Sequence, residues 1–272
     1  MCAPDHFGVT YVINPWMEAG LGKTDTKLTQ KQWNRLRSTL SEFADIVLLP
    51  PQPGLPDLVF TANAGMVLGK TAIVSRFKSK ERQGEEPFFH TWFRTNGFEI
   101  APWPEDVFFE GAGDALLDRG LYPNENGGEP IIWMGYGFRS DLAAAPLLEK
   151  FLLRKTVALK LVDPRFYHLD TCLCPLAGGY LMYVPTAFDD VSQKIIESYV
   201  PVDKRIILGE ADAVTFACNA VDIGGHVVLN QASTHLQDQI RRAGFTPIMT
   251  PLTEFLNSGG AAKCLTLKLL ED

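Results

Sequence analysis

His168 and Asp170, in the run FYHLDTCLCPL, alternate with Tyr167, Leu169 and Thr171, so an extended backbone presents both polar side chains on one face. An imidazole that exchanges a proton near neutrality, beside a carboxylate, is what general acid–base chemistry requires. Glu110, in FFEGAGDAL, follows two phenylalanines and precedes a glycine-rich bend, which desolvates the carboxylate unless a cation pairs with it. Asp114 reads as a residue that hydrogen-bonds that bend. Asp57 and Asn63 stand six residues apart in LPDLVFTAN, an even spacing that puts both on one side of a strand. Cys264 ends GGAAKC, where Gly259 and Gly260 let the backbone approach a ligand closely. Lys263 favours a thiolate by its charge, although alternation turns its ammonium away. Arg82 in SKERQGEE and Arg139 in YGFRSD carry the planar fork that clamps a carboxylate bidentately. Each residue also has a plainer reading. Asp57 suits a turn, Asn63 a hairpin hydrogen bond, Glu110 a strand end, His168 a satisfied core, Cys264 a small buried hydrophobe, and the arginines an exposed surface.

Other chemistries find less support. Cys172 and Cys174 flank one residue and lie near His168, but zinc sites use pairs separated by two to four residues, and no second pair follows. There is no Gly-x-Ser-x-Gly, no phosphate-binding loop and no dinucleotide fingerprint. The chain has 272 residues, 46% of them apolar and 21% charged, enough for a sizeable core in one domain spanning residues 1–272. A net charge of −7, with both signs interspersed, argues against nucleic acid or an anionic membrane as partner. It suits a cationic small molecule. No apolar run reaches the roughly 20 residues of a membrane span, and Met1–Asn14 lacks the pattern of a secretory signal. Five scattered cysteines point to a reducing cytoplasm. Whether copies associate into an oligomer is left open.

The elements that must position these groups are written as a repeat. FTANAGMVLGKTAIV from Phe60 aligns without gaps to FACNAVDIGGHVVLN from Phe216, each a strand, a glycine turn at Gly69 or Gly225, and a second strand. EGAGDALLDRGLYP from Glu110, CPLAGGYLMYVP from Cys174 and the half-unit KCLTLKLL from Lys263 are weaker copies. The motif positions Asn63, Glu110, His168, Asn219 and Cys264 fall roughly 45 to 60 residues apart. Helical patterns lie between them: Trp33, Leu36, Leu40 and Phe43 on one face, then Ala187–Tyr199, then Ser233–Gly244 with Gly244 as its stop. Short apolar strands at Ile46–Leu49, Glu99–Ala101 and Pro247–Thr250 complete the units. The stretch Pro123–Pro130 reads as a turn-rich surface loop. Five such units closed on themselves make an α/β fold, a five-bladed propeller with the motif residues meeting on its axis.

LPDLVFTAN, EGAGD, HLDT and GG-x-x-x-Cys, in that order over Pro56–Leu267, resemble the guanidino-group-modifying enzymes of the pentein superfamily. That group includes arginine deiminases, dimethylarginine dimethylaminohydrolases, arginine dihydrolases and amidinotransferases, and it shares the five-bladed propeller. The resemblance implies Cys264 as nucleophile, His168 as general acid/base and Glu110 as the carboxylate of the family's Glu-Gly-Gly-Asp motif, in which Ala112 is an extra residue that leaves Asp114 as the alternative to Glu110. It implies Asp57 and Asp170 on the guanidinium, and Arg82 and Arg139, more loosely, on the substrate's α-carboxylate. Deiminases and dimethylaminohydrolases carry Asp where this chain has Asn63. The TAN-Ala form resembles dihydrolases, which release two ammonia and one carbon dioxide to leave ornithine. The expectation is therefore an arginine dihydrolase without cofactor or metal, with a citrulline-forming hydrolase of arginine or methylated arginine as the alternative. A ribosome-binding propeller of the same superfamily, which is not an enzyme, has no use for His168, Asp170 and Cys264 together.

Overall fold

A computed structural model describes residues 1–120 and 129–270. Four three-stranded sheets share one plan. In the first, β1 (Gly65–Leu68) pairs antiparallel with β2 (Thr71–Val74), which pairs parallel with β3 (Glu99–Ile100). The second is β4 (Ala115–Asp118), β5 (Ile131–Tyr136) and β6 (Thr156–Lys160). The third is β7 (Leu173–Leu176), β8 (Tyr180–Tyr183) and β9 (Arg205–Ile207). The fourth is β10 (Val221–Ile223), β11 (His226–Leu229) and β12 (Thr246–Met249). The parallel pairing of the second and third strands needs a crossover, and a helix supplies it in every unit: Glu86–Thr95, Ala144–Leu152, Asp190–Tyr199 and Thr234–Arg242.

The hairpins and outer strands thus follow the repeat. Lys70 with Gly69 (φ 57°) and Gly224 with Gly225 (φ 56° and 78°) make the expected tight turns. Ser233 caps the last crossover helix by accepting from the Leu236 amide, and Gly244 at φ 93° ends it. Thr26–Ser41 is one helix that buries Trp33, Leu36 and Leu40, while Phe43 lies past its end and stacks on His226 with centroids 4.3 Å apart.

The fifth unit departs from expectation. Ile46–Leu49 forms only a single parallel bridge, Leu49 to Cys2, and Lys263–Leu270 joins no ladder, so the described residues form four sheets and no closed ring of five. The turn-rich Pro123–Pro130 stretch falls mostly outside the described residues. No helix among them is long and apolar enough to cross a membrane, and the five cysteines are free.

The strand-alternation argument for Asp57 with Asn63, and for His168 with Asp170, also gives way. These residues sit in 3₁₀ turns or at their edges: Pro56–Val59, Thr61–Ala64 and Leu169–Thr171. Gly111–Gly113 is a matching turn after Glu110. Apart from Pro56–Val59, each turn leads within a residue into the first strand of a sheet, and those strands lie inward, β4 against β7 and β7 against β10. The inward packing tolerates almost no bulk. A Cβ on Gly111, whose φ is 65°, meets Ser75 Oγ at 2.7 Å, the Gly65 amide nitrogen at 2.8 Å and the Ala62 carbonyl at 2.9 Å. Two of those neighbours are backbone and cannot rotate away. Gly111→Ala is therefore expected to destabilise the fold by about 1–3 kcal/mol in urea titration; an unchanged midpoint would show that the two turns yield independently.

Candidate active site

The turns before β1, β4, β7 and β10, and the turn at Ala262–Leu265, deliver Asn63, Glu110, His168 with Asp170, Asn219 and Cys264 to one region. Cys264 lies at its centre. Its sulfur accepts from Asn219 Nδ2 at 3.0 Å and is 3.4 Å from Asp170 Oδ2. The Asn219 side-chain oxygen takes the Cys264 and Ala261 amides, both at 3.0 Å, so a single amide fixes the turn and the thiol together. Gly260 is required for close approach: a Cβ there would lie 2.5 Å from Phe60 Cε1 and 3.2 Å from Cys264 Cβ.

His168 belongs to a second group. Its Nε2 is 2.8 Å from Glu110 Oε2, and the same oxygen accepts from Arg139 Nη1 at 3.0 Å. Nδ1 is buried and has no hydrogen-bond partner in the protein. Burial pushes the Glu110 carboxyl up, but Arg139 and the His168 ring outweigh it and hold the group down at about 2. Asp114 is spent on structure, accepting from Ser140 Oγ at 2.7 Å and the Leu169 amide at 3.0 Å.

Asp57, Asn63, Arg82, Arg139 and Cys264 line one cleft of about 250 Å³ together with Ile13, Asn14, Phe60, Tyr167, Ser258 and Gly260. Glu110, His168 and Asp170 touch this lining through Arg139 and Cys264, so all eight candidate residues form one connected set. The arginines differ from the free carboxylate clamps expected of them. Arg82 grips Glu85 bidentately, at 2.9 and 2.7 Å, and gives Nη1 to Asn63 Oδ1. Burial lowers the Arg82 guanidinium, but the Glu85 carboxylate raises it well beyond its ordinary range. Arg139 divides itself between Glu110 and the Ile13 carbonyl and lies over the Tyr167 ring. A buried guanidinium needs such partners.

Among the described residues, Asp57 and Asp170 join Asp114 in having no ion pair of their own. Asp57 accepts only hydroxyls, from Tyr11 at 2.9 Å and Ser258 at 3.3 Å, and burial raises its pKa. Asp170 lies against the Cys264 thiol and the Asn219 amide, and burial lifts it to about 6. Burial, and then the negative Asp170, also push the Cys264 thiol well above its usual range. The site holds Cys264 as a thiol near the desolvated carboxyl groups of Asp57 and Asp170. It can accept a small planar cation, whose charge would stabilise the carboxylates and favour the thiolate together.

Sequence reasoning overlooked several members of this set. Asn219 was visible as the repeat partner of Asn63 but carried no role. Glu85 stands three residues after Arg82, the spacing of a helical ion pair. Tyr11, Asn14 and Ser258 had no signal, since the N-terminal segment that brings the first two is irregular.

No family profile matches the chain. It is 52% identical over its whole length to the bifunctional arginine dihydrolase/ornithine cyclodeaminase ArgZ of Synechocystis sp., of which it spans 37%. Over 99% of its length it is 38% identical to the N(G),N(G)-dimethylarginine dimethylaminohydrolase of Mycobacterium tuberculosis, covering 84% of that protein. Among solved structures, the N-terminal domain of ArgZ, as a C264S mutant bound to substrate, superposes with a TM-score of 0.95 at 52% identity, covering 100% of this chain and 97% of that one.

The carboxylate burden has a consequence for stability. Burial pushes the Asp170 carboxyl up from its ordinary 3.8 to about 6 in the folded protein. A raised folded-state pKa means stability is lost as pH climbs from about 4 to about 6 and stays lost above it. Asp170→Asn is therefore expected to stabilise the fold at pH 8 by about 3 kcal/mol, and to leave it unchanged near pH 4. Chemical denaturation at the two pH values checks this; equal effects at both would mean the group is not strained.

Proposed function

The chain belongs to the pentein superfamily of guanidino-group-modifying enzymes, and from that premise we propose that it is an arginine dihydrolase, hydrolysing arginine to ornithine, two ammonia and carbon dioxide. The observation that carries the reading is Asn63, a neutral amide placed among the thiol, the His168–Glu110 pair and the unpaired carboxylates. Its Nδ2 donates to the Glu110 carbonyl at 3.0 Å while its Oδ1 accepts from Arg82. A carboxylate in that place could do only the second.

In this reading the guanidinium lies between Asp57 and Asp170, and its charge draws the Cys264 proton off. Sulfur attacks the central carbon, and His168 donates a proton to the first departing ammonia. The carbon stays on sulfur as a thiouronium, and His168 then takes a proton from water as it adds. That tetrahedral adduct expels either the thiolate, giving citrulline, or a second ammonia, giving a thiocarbamate. A second water releases the thiocarbamate as a carbamate that loses carbon dioxide. Asn63 favours the second course because it leaves the nitrogens uncharged by pairing and can donate to them. Nothing in this sequence of steps calls for a cofactor or metal.

The whole chain serves as one catalytic unit in this account, acting on a small molecule and not on nucleic acid or membrane. The Cys264 turn and the segments bridged at Cys2 and Leu49 stand where a fifth blade belongs. Support comes from the Ala62 amide, which donates to the Cys264 carbonyl at 3.0 Å, and from Thr61 Oγ1, which donates to Leu265 O at 3.1 Å. Arg82 and Arg139 act mainly as braces for Asn63 and Glu110, and the substrate's α-carboxylate competes with Ile13 for Arg139.

The test is ammonia counted per substrate consumed, with arginine, dimethylarginine and succinylarginine offered in turn. Arginine is expected to give two ammonia and ornithine; one ammonia with citrulline would make the protein a deiminase instead. Asn63→Asp is expected to move at least about a tenfold share of product toward citrulline, about 1.4 kcal/mol in partitioning. Unchanged ornithine output would remove Asn63 from the account.

A further inference from the structure

Asn219 is fully buried, and each of its hydrogen-bonding positions is filled. Its Oδ1 accepts from the Ala261 and Cys264 amides, both at 3.0 Å. Its Nδ2 donates to the Asp170 carbonyl at 3.1 Å and to Cys264 Sγ at 3.0 Å. Two backbone N–H groups on the oxygen fix which way the side chain faces. Turned over, its nitrogen would meet two donors and its oxygen the Asp170 carbonyl, so Nδ2 is the atom that must point at sulfur. The amide can give sulfur a hydrogen and cannot take one.

The backbone is bent to place that donor. Phe216, which opens the turn before Asn219, has φ 55°, a left-handed conformation that strains a bulky side chain. Phe60, its counterpart in the first unit, has φ −83°. The Trp16 and Phe166 rings pack on Phe216 with centroids 4.7 and 6.2 Å away, and the Asn219 backbone N–H donates to the Phe216 carbonyl at 3.0 Å. The groups around Sγ otherwise disfavour a negative charge on it. Asp170 Oδ2 lies 3.4 Å away, Tyr167 belongs to the same segment, and Asp57 lines the cleft. Arg82 and Arg139 also line the cleft, but Glu85 holds the first and Glu110, shared with His168, the second; Lys263 turns to the Ala112 carbonyl. Among the described residues, Asn219 is the donor that reaches the sulfur.

We propose that Asn219 is a further catalytic residue: its Nδ2–H stays on Cys264 Sγ and stabilises that sulfur as an anion, both when it attacks and when the product leaves it. This rests on the reading of the site as one for guanidinium hydrolysis for what the sulfur attacks, and adds how the thiolate is held. A hydrogen bond to an ionised acceptor is roughly twice as strong as one to a neutral acceptor, so the donor favours thiolate over thiol. When the S–H bond ionises, its electron pair stays on sulfur, its proton passes to solvent, and the Asn219 N–H bond remains whole. A neutral amide does this without a fixed cation that would repel the guanidinium. Because Oδ1 holds the Cys264 turn, the donor keeps its aim on the atom it serves.

The test is the rate at which iodoacetamide alkylates Cys264 at pH 8, read from the Cys264 peptide by mass spectrometry. No substrate is present, so the result stands whether or not arginine is hydrolysed, and the two readings fail separately. Asn219→Asp keeps an oxygen for the two backbone amides and loses the donor; Asn219→Ser loses the same donor without adding charge. Each is expected to slow alkylation about tenfold, the effect of about one unit in the thiol's ionisation. A purely structural Asn219 predicts the reverse, because a loosened turn exposes the thiol and relieves the burial that suppresses its ionisation. Unchanged or faster alkylation in Asn219→Ser overturns the proposal, whatever Asn219→Asp does, since a loss confined to the aspartate would report only its charge. Should neither variant fold, the unaltered chain decides by nuclear magnetic resonance with isotopically labelled asparagine. The Asn219 side-chain proton on Sγ is expected to lie downfield and to move upfield when Cys264→Ala removes its acceptor; coincident resonances overturn the proposal.

Discussion

The site depends on an unequal pairing of buried charge. Five carboxylates (Asp57, Glu85, Glu110, Asp114 and Asp170) and two guanidinium groups (Arg82 and Arg139) lie in a region nearly closed to water. A buried ion without a partner costs several kcal/mol, so the pairing is not free to vary. Arg82 goes to Glu85 and Arg139 to Glu110, at 2.7 and 3.0 Å. Asp57, Asp114 and Asp170 are left over, propped by hydroxyls, a backbone amide and a thiol. The remaining positive charge must come from what binds.

That imbalance links stability to chemistry. The carboxylates with arginine partners hold the turns in place: Glu110 anchors Arg139 and the His168 ring, and Glu85 anchors Arg82, which in turn fixes the Asn63 amide. In the proposed reading, those without partners raise the energy of the empty site and release it when a guanidinium enters. The same event would favour the Cys264 thiolate, making nucleophile activation and substrate binding one electrostatic step. A free cysteine exposed to water would not behave this way.

Much of this was legible in the sequence, and the reason is the repeat. Each unit begins with a turn and an inward strand, so a motif residue placed at the start of each unit must come near the others once the units pack around a common centre. The gapless match of Phe60–Val74 to Phe216–Asn230 was enough to predict two hairpins and their glycine turns. What strand alternation suggested about Asp57, Asn63, His168 and Asp170 was mistaken in its geometry, because glycine-poor 3₁₀ turns and strands are alike in composition at this length. Pairing between distant ions was invisible: nothing in YGFRSD tells that Arg139 meets Glu110 and the Ile13 carbonyl. The roles of Tyr11 and Asn14 were hidden for the same reason, since an irregular segment gives no period to read.

The central claim is that a positive charge on the ligand completes the site, and binding to an inactive protein tests it most directly. In the Cys264→Ser variant, calorimetry should show arginine binding more tightly as pH rises through about 6. Citrulline, neutral and of almost the same shape, should bind at least about a hundredfold more weakly, with little dependence on pH. Equal affinity for the two ligands would contradict the account, since the buried carboxylates would then have no part in holding the substrate.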